Sequence, residues 1–399
     1  MFVAHSKFGQ ARVVFCGVVL ALAAPNLCLA LGATQAALNL SSASAQTVAV
    51  GACLPKLQTY STISQAVAAV SPGSTVLVCP GTYPEQITIT QPLTLRGVQS
   101  GNASNPVVTV PPGGLTQSIA LPPFSIPTFF QILVKGTEGG MVNINGLAVD
   151  GANNLVPSGD GLEGIYYLDS SGVISGVAVY GQTAINQAGD GFGVGIEVES
   201  TTSSPKTFTV GNSSIHDFGG EGIFAAGGPK TLTVNILSNS VVASNSFAGL
   251  AVEGGIYLPG GMGSVLGNNL ISHPVVPGPT VGTGISIPSN VAVSGNTIVH
   301  WDIGVASEGD SNTITSNTVS LATFTNVLIL GANNKLEHNF FVDSNGSGAI
   351  DFDCKGTGNT VINNVINEMD YGIASSPANN TVTPNSYSNV KWISEATCR

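Results

Sequence analysis

Carboxylates spaced two residues apart on extended segments are the feature of this sequence best suited to chemistry. In Ala349-Ile350-Asp351-Phe352-Asp353-Cys354-Lys355 the alternation of a strand buries Ile350, Phe352 and Cys354 and turns Asp351, Asp353 and Lys355 outward. Side chains two positions apart on a strand stand about 6.6–7 Å apart, within the roughly 5–9.5 Å that a glycosidase carboxyl pair spans. Gly195-Ile196-Glu197-Val198-Glu199 repeats the pattern, and Glu253 and Glu308 end equivalent segments. In register, Glu197, Glu199, Glu253, Glu308, Asp351 and Asp353 form one acidic face with catalytic capacity. Tyr166, Tyr167 and Phe224 join it as sugar-stacking side chains, and Lys355 as a substrate contact. Carboxylates stacked about 4.8 Å apart repel, which raises a pKa or attracts calcium. No other cofactor is implied, and no metal-ligand set is read. A plainer account also fits: exposed strand positions must be polar, and acidic ones keep a protein soluble.

Other chemistry-bearing residues are more scattered. His216-Asp217 beside Gly219-Gly220-Glu221 has the makings of an acid/base pair, but reads more simply as a loop pair. His273, His300 and His338 each lie near an Asn corner, where a turn role fits better than a ligand role.

The positions that could align such residues repeat along the chain. An apolar residue, Asn three later and another apolar residue two beyond recur around Asn239, Asn268, Asn296, Asn317, Asn339 and Asn364. Their separations of 29, 28, 21, 22 and 25 residues are those of a solenoid. Three earlier copies carry no Asn: Ile144/Leu147/Val149, Ile174/Val177/Val179 and Val210/Ser213/Ile215. A second phrase, Gly followed by alternating apolar residues, trails most copies, as in Gly222-Ile223, Gly284-Ile285-Ser286-Ile287 and Gly304-Val305. Short period-two strands punctuated by Gly, Asn and Ser predict an all-β coil whose rungs pair in parallel. The Asn at one fixed corner tolerates left-handed backbone and can bond to its copy in the next rung, a structural ladder. Thr62 to Val70 has the spacing of a short amphipathic helix that caps the open first rung.

Composition narrows the class further. A net charge of −11 leaves no electrostatic footprint for nucleic acid. A charged fraction of 8% with 43% hydrophobic residues is too apolar for a disordered acidic chain. Lys7 and Arg12 precede an apolar run from Val13, so residues 1–45 read as a secretory signal and leader. No later stretch is long and apolar enough to span a membrane. A secreted, periplasmic or cell-envelope protein is expected. Cys53, Cys79, Cys354 and Cys398 remain beyond the leader; an even number in an exported chain favours disulfides, with Cys53–Cys79 and Cys354–Cys398 the preferred pairing.

The stretch Ile63 to Gly97 (ISQAVAAVSPGSTVLVCPGTYPEQITITQPLTLRG) resembles the opening segment of right-handed parallel β-helix proteins of the pectin-lyase-like superfamily, NosD-type proteins included. With the repeats, the resemblance covers roughly residues 55–385 and implies a single-stranded right-handed parallel β-helix over residues 50–399. Its parts are a cap (53–97), a Pro-rich loop (103–128) and the repeats (140–385). The superfamily implies action on polysaccharide, as lyase, hydrolase or epimerase. Polygalacturonase signatures and the Asp-Pro-His element of alginate epimerases are absent, and beyond the leader the only arginines are Arg96 and Arg399. An acidic chain with so few arginines is a poor clamp for polyuronate. The leading expectation is therefore an exported protein that binds, and could process, polysaccharide or envelope glycan along its acidic face. A non-catalytic envelope or matrix scaffold is the alternative. The third reading is NosD-like copper handling, although copper wants clustered His, Met or Cys.

Overall fold

The structure, a computed structural model, describes residues 44–99, 105–120, 126–137, 139–157, 159–183, 192–243, 254–272, 282–353, 356–374 and 379–394. Residues 1–43 of the leader, Glu253, His273, Cys354, Lys355 and Cys398 lie outside the described residues.

The chain winds as a parallel solenoid. One sheet stacks thirteen strands, from Thr59–Tyr60 and Thr47–Val50 to Thr360–Ile362, and a second sheet holds the other strands of each turn. All named pairings are parallel except Ser118–Ile119 against Thr128–Lys135. Apolar side chains fill the interior in columns, each column taking one residue per rung. Ile165, Ile196, Ile223, Ile256, Ile285, Val305, Val327 and Ile350 form one continuous register and are fully buried. Removing this apolar surface from water is the main term holding the coil together.

The one helix among the described residues, Ile63–Ala69, lies where the spacing predicts, with Ile63, Ala66 and Val67 buried against the first rungs. Thr62 caps it by accepting from the Gln65 backbone N–H at 3.1 Å. Glu85 accepts from the Ile63 and Ser64 backbone N–H groups at 2.8 and 2.9 Å, which ties the helix to the coil. Cys53 and Cys79 are disulfide-bonded.

Asn239, Asn268, Asn296, Asn317, Asn339 and Asn364 line one buried corner. Each Oδ1 from Asn268 to Asn364 accepts both the backbone N–H and the Nδ2 of the preceding Asn, at 2.8–3.0 Å. Asn385 extends this ladder. The left-handed backbone expected of these asparagines falls instead on their predecessors: Ser238, Gly267, Gly295, Ser316, His338 and Asn363 all have positive φ. The turn bends at that residue, leaving the Asn itself aimed along the ladder. A second ladder, Asn312, Asn334, Asn359 and Asn380, runs at another corner.

The Pro-rich segment is only partly an excursion. Val107–Thr109 is a rung strand, paired with Thr82–Pro84 and Ala148–Asp150, because Val108 fills a core position. Further on, Ile119 packs against Phe130, Leu133 and Tyr166, a small cluster separate from the main core.

The bend within the second sheet decides which side chains meet. In Gly161–Leu168 the pairing steps from Glu163↔Val194 to Ile165↔Ile196 and omits Gly164. A Cβ at Gly164 would stand 2.6 Å from the carbonyl oxygen of Gly195. Gly195, Gly222, Gly255 and Gly284 meet the next rung in the same way. The bend brings residues on either side of the glycine, three apart, onto one outward face.

Candidate functional site

On that face, Tyr166, Glu197, Phe224, Tyr257 and Ser286 succeed one another in register on consecutive rungs. Glu163 and Glu221 stand before the bend on rungs either side of Glu197. Glu163 is only 3% exposed. Its carboxyl is hydrogen-bonded to Glu197, and its Oε2 has no partner. Burial first, then the charges of Glu197, Glu221 and Glu199, hold its pKa well above the carboxylate range. Two carboxyl groups in this contact repel when both are ionised, so the pair favours holding a proton between them.

Glu197 is half-buried, and desolvation pushes its pKa up to about 7; the bond from Glu163 opposes this while Glu199 and Glu221 add to it. Burial likewise pushes Glu221 up to about 7. Tyr166, 2% exposed, donates to Glu199 Oε2 at 2.6 Å. Its phenol is raised by burial, then by the charge of Glu197. Phe224 and Tyr257 pack edge to face, centroids 5.6 Å apart, and both are half-buried. Ser286 donates to Glu308 Oε1 at 2.6 Å. The ion pairs formed among the described residues, His216–Asp217, Lys335–Glu337 and Lys391–Asp370, leave this cluster untouched.

The structure brings together Glu197, Glu199, Tyr166 and Phe224 from the acidic face read in the sequence, with Glu308 close by. Tyr167 is not on that face. It points into the core, fully buried, donates to the Val142 carbonyl at 3.0 Å and packs against the Phe208 ring, because it follows Ile165 on the inward alternation. Asp351 shares the register of Glu197 but lies six rungs away, about 29 Å at ~4.8 Å per rung. Burial, then Asp353, raises its pKa. Ile350 and Phe352 point inward beside it. His216 bonds Asp217 at 2.7 Å and stacks on Tyr180, in a different column of the coil.

Sequence reasoning missed Glu163, Glu221 and Tyr257 as members. Their signal is the phrase X-Gly-Ile-X, seen in Glu163-Gly164-Ile165-Tyr166, Glu221-Gly222-Ile223-Phe224 and Gly254-Gly255-Ile256-Tyr257. Strict alternation assigns the first X to the interior, whereas the glycine bend turns it outward. Among the described residues no three His, Cys, Asp or Glu are grouped so as to hold a metal ion. No described helix is long and apolar enough to cross a membrane.

Fold and register define a right-handed parallel β-helix. The chain is similar to the A-module of mannuronan C-5 epimerase AlgE4 from Azotobacter vinelandii, with 13% identity, TM-score 0.52, and 84% of this chain and 90% of that one covered. It is also similar to the Dettilon tailspike protein, with 14% identity, TM-score 0.52, and 80% and 62% covered. Neither is of the NosD type, and the copper-handling reading gains nothing from them. No protein-family model matches the sequence, and no curated protein does.

Proposed function

We propose that this chain is an exported protein that binds a neutral glycan around Glu197 and Glu221 and uses these two carboxyl groups as acid and base on a glycosidic bond, with the buried Glu163 in contact with Glu197 and not with the ligand. What supports the reading is the contact between Glu163 and Glu197 on adjacent rungs: a buried carboxyl raised well above the usual carboxylate range, beside one that titrates near 7. Carboxyl groups that titrate near neutral pH can both give up and take back a proton, as general acid/base work requires. Phe224 and Tyr257 supply ring surface beside them, suited to the apolar face of a sugar. The uncompensated acidity of the cluster disfavours a polyanionic ligand and favours a neutral one. The epimerase that shares the fold acts on mannuronan, which supports a glycan as the ligand class. The Cys53–Cys79 disulfide and the leader support an oxidising compartment outside the cytoplasm.

The test is a panel of neutral polysaccharides scored for binding by calorimetry and for cleavage by release of reducing ends. Glu197→Gln and Glu221→Gln should each abolish cleavage while leaving thermal stability at pH 5 close to the parent. A parent protein that neither binds nor cleaves any member of the panel would overturn the reading in favour of a scaffold.

A further inference from the structure

The column that holds Glu221 continues, in unbroken register, through Gly254, Thr283, Ile303, Thr325 and Gly348 to Tyr371 and Trp392. Between its two ends it carries small or shielded side chains. Ile303 and Thr325 are 7% and 1% exposed. At the far end it becomes aromatic: Tyr371 and Trp392 stack with centroids 5.0 Å apart and planes 18° from parallel. Trp392 is nevertheless 51% exposed, so the stack leaves much of its indole surface to solvent. Burying that surface would be favourable, and nothing among the described residues does so.

A carboxylate accompanies the stack. Asp351 lies three residues beyond Gly348, one rung before Tyr371. It stands to Tyr371 in the register relation in which Glu197 stands to Glu221. Aromatic surface with a half-buried carboxyl beside it is matched to a pyranose, whose C–H face stacks on the ring and whose hydroxyls donate to the acid. The nearby cation, Lys391, is held by Asp370 at 2.5 Å, so the platform presents no free positive charge from that side chain.

We infer that Tyr371, Trp392 and Asp351 form a second sugar-binding platform, and that the ligand is a neutral glycan chain extended along the solenoid axis from the Glu197–Glu221 site to it. From the rung of Tyr257 to that of Tyr371 is five rungs, about 24 Å at ~4.8 Å each, a span only an oligomer can cover. This inference rests on the glycan reading above and adds the length and direction of the ligand.

The two tryptophans make the test direct. Trp301 is 1% exposed, so iodide quenching of the intact protein reports Trp392. Xylo-, cello- and chito-oligosaccharide ladders from dimers to octamers serve as probes, each followed by calorimetry and by iodide quenching. An octamer should protect Trp392 from iodide. Trp392→Ala should weaken octamer binding roughly tenfold, leave dimer binding unchanged, and be largely rescued by Trp392→Phe. Octamer binding with unaltered quenching, or with an affinity that Trp392→Ala does not change, would sink the platform while leaving the first site standing. Absence of calorimetric binding across all ladders sinks both. A change of sedimentation state in Trp392→Ala would show the indole to be a self-association surface and also overturn the platform.

Discussion

Glu163 and Glu197 stand on adjacent rungs of the coil with their carboxyl groups in contact, an arrangement that favours a proton held between them. Two ionised carboxylates in that position, with one of them 3% exposed, would repel without solvent to screen them. The bend at Gly164 and Gly195 fixes this relationship, since Glu163 pairs with Val194 on the next rung and Glu197 stands three residues past Val194, across the bend.

Stability should fall as pH rises through neutrality. Glu197 and Glu221 titrate near 7 in the folded chain against an ordinary 4.5, and Glu163 is shifted in the same direction. Between those values the folded chain binds more protons than the unfolded one, so the unfolding free energy decreases with rising pH. The contribution of Glu197 and Glu221 is complete below about pH 4.5 and is lost as pH rises through about 7. Calorimetric melting temperatures across that interval should decline, and the Glu197→Gln/Glu221→Gln double variant should flatten the decline. A melting temperature that climbs from pH 5 to 8 would contradict the buried-acid account.

Tyr166→Phe isolates the next bond in the cluster. The phenol donates to Glu199 at 2.6 Å from a buried position, and the variant keeps the ring that packs on Phe130 and Leu133. Losing a hydrogen bond to a charged acceptor costs about 1.5–3 kcal/mol. Urea denaturation should show that loss with an unchanged m-value, since the coil remains folded.

Gly195→Ala tests the bend. A Cβ there would lie 2.5 Å from Ile215 Cγ2 and 2.6 Å from the Gly222 carbonyl oxygen. Overpacking of this kind costs about 1–3 kcal/mol. It should also displace Glu197, two residues on, so that glycan turnover falls by more than the stability loss explains. Kinetics measured well below the melting transition separate the two effects.

The winding was legible because its cause is periodic. Asn268, Asn296 and Asn317 recur with apolar partners at fixed offsets, and a solenoid repeats its chemistry wherever it repeats its geometry. The cap was legible in the Thr62–Val70 spacing for the same local reason. The site was legible only in part. Glu197 and Glu199 follow the alternation of a regular strand, as do the inward-facing Ile350 and Phe352. Tyr167 was misplaced because two adjacent tyrosines cannot both face outward, and the sequence does not say which one does. Glu163 and Glu221 escaped because the glycine bend interrupts period two, and a close backbone approach leaves no trace beyond the glycine itself.

The asparagine ladder should be the most sensitive part of the coil to a single atom. Asn296 donates through Nδ2 to the Val265 carbonyl and to Asn317 Oδ1, both at 2.9 Å, and accepts from Asn268 N and Nδ2 at 2.9 and 3.0 Å. Asn296→Ala strands buried donors and acceptors together, and about 3–5 kcal/mol of stability should be lost. Asn385→Ala, at the partly exposed end of the ladder, should cost markedly less because water can replace its partners. Asn296→Asp separates shape from charge. It keeps the acceptor side but sets a carboxylate oxygen against the Val265 carbonyl and Asn317 Oδ1, where two donor hydrogens stood. At pH 7 it should therefore be less stable than Asn296→Ala, and acidification should recover part of the difference by returning one proton to that oxygen. An Asn296→Asp variant as stable as the parent at neutral pH would mean that the corner is hydrated, not sealed.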